Sequence, residues 1–383
     1  MISSAIVCGR PCARRRRRHT FPMRIPFLFL ITLLAGCATT PPTDLRPRAA
    51  GDDARPVVDE AWRSAPVDGG ELDSLAAWPT PDGATWLLVT DKHSDTLRVL
   101  DADTGATLRT VGGPGTTPGR FDRPNGIAVY GDLAFVVERD NRRVQVLSLP
   151  DFAPRLVFGT PELRSPYGIW LHEAAPGVLE VYVTDSFMDP PAHTGVPAFD
   201  TLDERVRRYR VTLDEADALS ARLIGSFGAT TPDRALRIVE SIAGDPAYDR
   251  LLIADEDTRH GATLRDYRLD GRPRRTSLAA DTFAGEPEGI ALWPCTMDAG
   301  YWIAADQQRP RTVFHLFDRK TLAPAGRFTG AVAAQTDGIA LYAGATSRFP
   351  HGALFAVHDD RAVVAFDLGK VAAAARLDRH CVD

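Results

Sequence analysis

The 383-residue chain has no Gly-x-Ser-x-Gly elbow and no His-Glu-x-x-His pair, so serine and zinc hydrolysis of the usual kinds have no support. Its net charge of -5 argues against a general nucleic-acid binder. Cysteine is scarce at five residues: Cys8, Cys12 and Cys37 lie near the N-terminus, leaving Cys295 and Cys381 for the folded part. In an oxidising compartment that pair is a candidate disulfide, the alternative being two isolated buried thiols. The only sustained apolar run, Ile25 to Leu34, is too short for a stable membrane-spanning helix.

That run follows Met23-Arg24 and ends at Ala35-Gly36-Cys37. A charged start, a short apolar core and small residues before the cut describe a secretory signal. A cysteine directly after Leu-Ala-Gly resembles the bacterial lipoprotein signal, which implies lipidation of Cys37 and a place in the bacterial cell envelope, at the outer membrane or facing the periplasm. An ordinary cleaved signal is the alternative. Residues 1–22, with Arg14 to Arg18 in a row, fit a long n-region, a twin-arginine signal or a start codon assigned too far upstream. Residues 1–36 are therefore read as leader and 37–65, rich in Thr, Pro, Asp and Arg, as a disordered tether. Residues 66–383 remain for one folded domain.

Within that domain one unit recurs: a Gly-Ile-Ala turn, a strand, a second strand ending in Asp or Glu, and a third alternating strand. It is plain at Asn125-Gly126-Ile127-Ala128 with Ala134 to Glu138 and Val144 to Leu147. Copies begin at Tyr167-Gly168-Ile169, Glu240-Ser241-Ile242, Glu288-Gly289-Ile290 and Asp337-Gly338-Ile339, and a degenerate first copy at Asp73-Ser74-Leu75. The wider gap before Ser241 is filled by a Pro- and Asp-rich stretch, 189–203, and a helix-like run from Leu213 to Leu223. Short strands rich in Val, Ile, Leu and aromatics, separated by Asp-Gly and Asp-Thr-Gly turns, predict antiparallel sheet. Six such copies predict an all-β fold, a six-bladed β-propeller of four-stranded blades. The recurring glycine suits a first strand lining a crowded central channel.

The residues before these turns form a ring at the channel mouth: Asn125, Tyr167, Glu240, Glu288 and Asp337, with Asp73 a looser sixth. Converging carboxylates repel unless a positive charge sits among them, and calcium tolerates ligands drawn from separate loops. Asp255, Glu256, Asp257 and Asp306 add acids at second-strand ends. The plainer alternative is that such acids cap turns. Lys92 and Arg139 stand at equivalent strand ends, where cations beside a cation site call for an anion between them, while Arg142 and Arg143 read as solvated.

With these residues the chain resembles the β-propeller phytases, calcium-dependent enzymes that release phosphate from inositol hexakisphosphate. Val239-Glu240-Ser241-Ile242-Ala243 and Leu252-Ile253-Ala254-Asp255-Glu256-Asp257 look like two family blocks, and Glu288-Gly289-Ile290 and Thr336-Asp337-Gly338-Ile339 look like two more. Phe349-Pro350-His351-Gly352 to Asp359 is similar to the closing strand, and Tyr167-Gly168-Ile169 to a Tyr-Gly-Phe block. The resemblance implies Lys92, Arg139 and Tyr167 as catalytic residues and Glu240, Asp255, Glu256, Glu288 and Asp337 as calcium ligands. It implies a monomer acting on a phytate-like phosphomonoester while a lipid anchor holds it to the membrane. Leu72-Asp73-Ser74-Leu75 stands where the family has Asp-Asp-Pro-Ala, and Asp185-Ser186-Phe187 where it has Gly-Lys-Glu. These departures remove a calcium carboxylate, a phosphate-binding lysine and a further calcium ligand. A calcium-dependent propeller lactonase or esterase, to which Asn125 is suited, and a non-catalytic envelope binding propeller are the rival readings.

Overall fold

Crowding at the central channel sets the architecture. The computed structural model describes residues 55–189, 195–214, 216–279, 281–378 and 381–382, so Cys37, the leader and most of the expected tether lie outside the described residues. Six antiparallel sheets follow one another along the chain. Their innermost strands are Leu72–Pro79, Pro124–Tyr130, Pro166–Ala175, Val239–Asp245, Glu286–Pro294 and Ile339–Tyr342. Each packs on the next, and the last returns to the first, closing a six-bladed propeller.

The ring glycines meet the neighbouring blade's backbone. A Cβ on Gly126 would lie 2.4 Å from the Tyr167 carbonyl oxygen, one on Gly168 2.2 Å from that of Glu240, and one on Gly338 2.3 Å from that of Asp73. Where serine replaces glycine, threonine helps to join the blades. Thr90 Oγ1 donates to the Asn125 carbonyl (2.7 Å) and accepts from Ser74 N–H (2.9 Å). Thr184 Oγ1 donates to the Glu240 carbonyl (2.7 Å) from the blade before Ser241.

The apolar core is divided into six clusters, each wedged between consecutive blades. Trp78, Leu88 and Val99, for example, pack on Ile127, Val136 and Leu147 of the next blade. Middle strands are thus covered on both faces, which is why Leu87–Asp91 and Leu251–Asp255 are buried without alternation.

Two sequence expectations change. The tether was expected to reach residue 65, yet Val57–Val58 pairs parallel with Pro324–Gly330, and Trp62–Arg63 completes the sixth blade against Ala362–Asp367. Two-residue strands carry no periodicity and are ordered by remote edges. Glu60 reinforces them by accepting N–H groups of Ala331, Val332 and Ala333 (3.2, 3.0 and 2.9 Å). The helix-like run from Leu213 is instead a hairpin, Val206–Leu213 with Leu219–Phe227. Pairing with the adjacent strand overrides the local leucine spacing, and Asp214 Oδ1 accepts the Ala216 and Ala218 N–H groups in the turn.

Cys295 and Cys381, 86 positions apart in sequence, form a disulfide with Cα atoms 4.4 Å apart, tying the C-terminal end to the fifth blade. Cys381→Ser is expected to lower the unfolding free energy by up to about 4 kcal/mol through the unfolded chain, measured by urea denaturation under oxidising conditions. Gly168→Ala, whose added methyl faces backbone rather than a movable side chain, is expected to lose roughly 1–3 kcal/mol by the same measurement. An unchanged midpoint would contradict the close approach.

Candidate functional site

The six second strands share a device at their ends. Asp91, Glu138, Asp185, Asp255 and Asp306 are buried, and each accepts backbone N–H groups from the loop entering its own blade. In the sixth blade His358 Nδ1 does this for Ala334 N–H (3.2 Å). Strand geometry turns the following residue the opposite way, towards the mouth. Those residues are Lys92, Arg139, Ser186, Glu256, Gln307 and Asp359. Together with the residues before the ring glycines they supply the groups of the site.

This alternation separates two expected calcium ligands. Glu256 joins Glu240 and Glu288, and one carboxylate oxygen from each lies within 4.8 Å of the others. Asp255 does not join them. It accepts N–H from Arg237 (3.2 Å) and Ile238 (3.1 Å) and pairs with Arg265 at 3.2 Å, as a strand-end clamp. Asp257 is likewise held by Arg259 (2.8 Å) and His260 (2.7 Å), and Asp306 by loop N–H groups, Gln308 and His315. Asp255 and Asp306 thus cap loop N–H groups, whereas Asp257 is held by side chains and caps none.

Burial, then mutual repulsion with the other acids, pushes the Glu256 and Glu288 carboxyls well above the usual range, and Glu240 to about 8. Glu256 Oε1 is buried without a hydrogen-bond partner. Three oxygen donors converging from two blades, one of them orphaned, fit a hard divalent cation such as calcium.

Asp337 belongs to the neighbouring half of the ring. Its carboxylate takes a hydrogen bond from Gln307 and stands 3.5 Å from Lys92 Nζ, which also meets Asp73 at 2.8 Å and Glu71 at 3.5 Å. Burial works against the charged ammonium, but Asp73 and Asp337 outweigh it and raise the Lys92 pKa. Asp337 itself is raised to about 7, by burial first and Asp73 next. The structure thus places Lys92 among carboxylates, and an approaching phosphate would meet Glu71 and Asp73 beside it.

Arg139 lies on the other side of the mouth. Its guanidinium is held by both Asp140 carboxylate oxygens (2.7 and 3.1 Å), and Nη1 donates to Tyr167 Oη at 3.4 Å. Burial keeps the Tyr167 phenol protonated, with Glu240 adding to the effect. Arg139, Arg142, Arg164 and Tyr167 line a cavity of about 730 Å³ that Glu240 also lines. Glu240 is thus shared between the carboxylate triad and an arginine-rich cavity. Asn125, the remaining ring member, is 1% exposed with neither amide atom hydrogen-bonded.

Arg205, fully buried, carries no signal in the sequence pattern. It donates to the carbonyls of Asp185 (3.0 Å), Phe187 (2.6 Å), Leu236 (3.1 Å) and Arg237 (2.6 Å). It binds together the two loops on either side of the cavity. Burial lowers its pKa to about 10, with Asp185 and Asp255 partly offsetting that.

No family model matches the chain, and no curated protein matches it. Among solved structures it is similar to a chain of a nidogen/laminin complex, at 17% identity and a TM-score of 0.47 over 72% of this chain and 87% of that one. It is also similar to the hydrazine synthase of Kuenenia stuttgartiensis, at 13% identity and a TM-score of 0.48 over 80% of each. Both likenesses are too distant to bear on chemistry; the six-bladed β-propeller rests on the strand pairing itself.

A pH dependence follows from the acid cluster. Without a cation, folded Glu240 and Asp337 hold protons that the unfolded chain has released, so stability falls as pH rises from about 5 to about 8. In chelator the melting temperature is expected to be lower at pH 8 than at pH 5. Calcium is expected to raise it at pH 8 far more than at pH 5, and Glu288→Gln to reduce that gain. Calorimetric melts that ignore chelator at pH 8 would remove the cation site.

Proposed function

We propose that this propeller is a calcium-dependent phosphomonoester hydrolase of the phytase type. The observation that carries the reading is the position of Glu240, which belongs at once to the triad with Glu256 and Glu288 and to the cavity of Arg139, Arg142 and Arg164. A cation-binding group and an anion-binding cavity that share a wall suit a substrate whose phosphate lies between them. The resemblance of the Glu240, Glu256, Glu288 and Asp337 segments to phytase blocks supports the same reading.

Glu240, Glu256 and Glu288 would hold the ion, which when bound would offset phosphate charge and lower the pKa of a water molecule. Arg142 has no acidic partner among the described residues and offers its planar fork to phosphate oxygens. Arg139 is already oriented by Asp140, so it loses little freedom in doing the same. Tyr167 keeps its proton on Oη and can donate it in a hydrogen bond to a developing oxyanion. Lys92 holds Asp73 and Asp337 together rather than meeting the phosphate, keeping the acid side of the mouth compact. In this proposal Cys37 carries the lipid anchor in a bacterial envelope, and the Cys295–Cys381 disulfide accords with an oxidising compartment.

A second reading, a calcium-dependent lactonase or esterase, is favoured by the unpartnered amide of Asn125 at the ring. One assay series separates the two. Phosphate release from phytate or from a related phosphomonoester is expected with calcium, to stop with chelator, and to fall to background in Glu256→Gln. Turnover of an aryl lactone without phosphate release would favour the second reading, and turnover of neither would leave a binding propeller.

A further inference from the structure

One wall of the cavity is built from the segment that departs most from the phytase pattern. Asp185 fixes the Arg164 and Ser165 backbone, and Ser186 Oγ accepts the Val239 N–H at 3.2 Å. Phe187 then has two guanidinium groups over its ring: Arg205 Cζ lies 4.4 Å from the ring centroid and Arg164 Cζ only 3.2 Å from it. Arg205 is anchored by four carbonyls, and Arg164 Nη2 donates to Glu204 at 2.6 Å, so neither guanidinium is free to swing. With its guanidinium over the Phe187 ring, Arg164 lines the cavity as a cationic shelf. Met188 and Ile238 continue that wall as apolar surface.

The charges of the cavity limit what it can hold. Arg139 is paired with Asp140 and Arg164 with Glu204, whereas Arg142 has no acidic partner among the described residues. The cavity therefore has counter-charge for one phosphate, from Arg142, the outer edge of Arg139 and the adjoining cation triad. Further phosphates would be pressed against Phe187, Met188 and Ile238, where an ionised group is desolvated without a partner. A planar π system, by contrast, stacks well on a guanidinium face.

Building on the phosphomonoesterase reading, we infer that the substrate class is a singly phosphorylated ester with a flat aromatic or heteroaromatic body, such as an aryl phosphate or a nucleoside monophosphate, rather than a fully phosphorylated polyol. The phosphate lies between Arg142 and Glu240's triad, and the flat body lies on the Arg164–Phe187 stack.

The test is calorimetric titration of the calcium-loaded full chain with phenylphosphonate and with methylphosphonate, which share a head group and differ in body. Phenylphosphonate is expected to bind at least about tenfold more tightly, the order of one stacking interaction. Phe187→Leu is expected to erase most of that preference with little change for methylphosphonate. Arg164→Gln, which removes the shelf and leaves Phe187 in place, serves if the Phe187 variant does not fold. Arg142→Gln is expected to weaken both ligands alike. Equal affinity of the two phosphonates, or turnover of phytate in preference to p-nitrophenyl phosphate, would overturn the assignment of the flat body and leave the phosphomonoesterase reading standing. Binding of neither phosphonate would overturn the phosphomonoesterase reading, and this inference with it.

Discussion

The close approach of neighbouring inner strands is the constraint on which the rest of the protein depends. Where Gly168 and Gly338 come within van der Waals contact of the next blade's carbonyl, no side chain fits, so the preceding residue must turn towards the mouth. Packing thus turns Tyr167, Glu288 and Asp337 towards the mouth, where Glu240, which precedes Ser241 rather than a glycine, joins them. The chemistry of the site follows from a steric requirement of closing six sheets into a circle, and a change at the glycine level would be felt by the acids above it.

Those acids face an electrostatic problem that the chain answers in two ways. On the side of Glu71, Asp73 and Asp337, the ammonium of Lys92 supplies the counter-charge from within the protein. On the side of Glu240, Glu256 and Glu288 no cationic side chain pairs with the triad among the described residues, and Glu256 keeps an unpartnered oxygen. Proton uptake relieves the repulsion up to about pH 8, where Glu240 loses its proton.

The fold was legible because its repeat has a local cause: each copy needs its own glycine or serine, its own second strand and, in five of the six, its own strand-end acid. The disulfide was legible by elimination of the other cysteines. Asp255 and Glu256 show where such reading stops, since both fit an acidic calcium block and only strand alternation sends one to Arg265 and the other to the triad. Val57–Arg63 was unreadable for the opposite reason: its order comes from edges some 270 to 300 residues away, not from any pattern of its own. Arg205 looks like any other arginine in a basic stretch, and its role exists only once the 185–187 and 236–237 loops are adjacent.

The segment Asp185-Ser186-Phe187 is held at every residue. Here each substituent has a definite partner: Asp185 the Arg164–Ser165 backbone, Ser186 the Val239 N–H, and Phe187 two guanidinium groups. A fully buried arginine whose hydrogen bonds all go to carbonyls is costly to place, because burial acts against its charge. Its presence behind Phe187 is accounted for if holding that ring in the cavity wall matters.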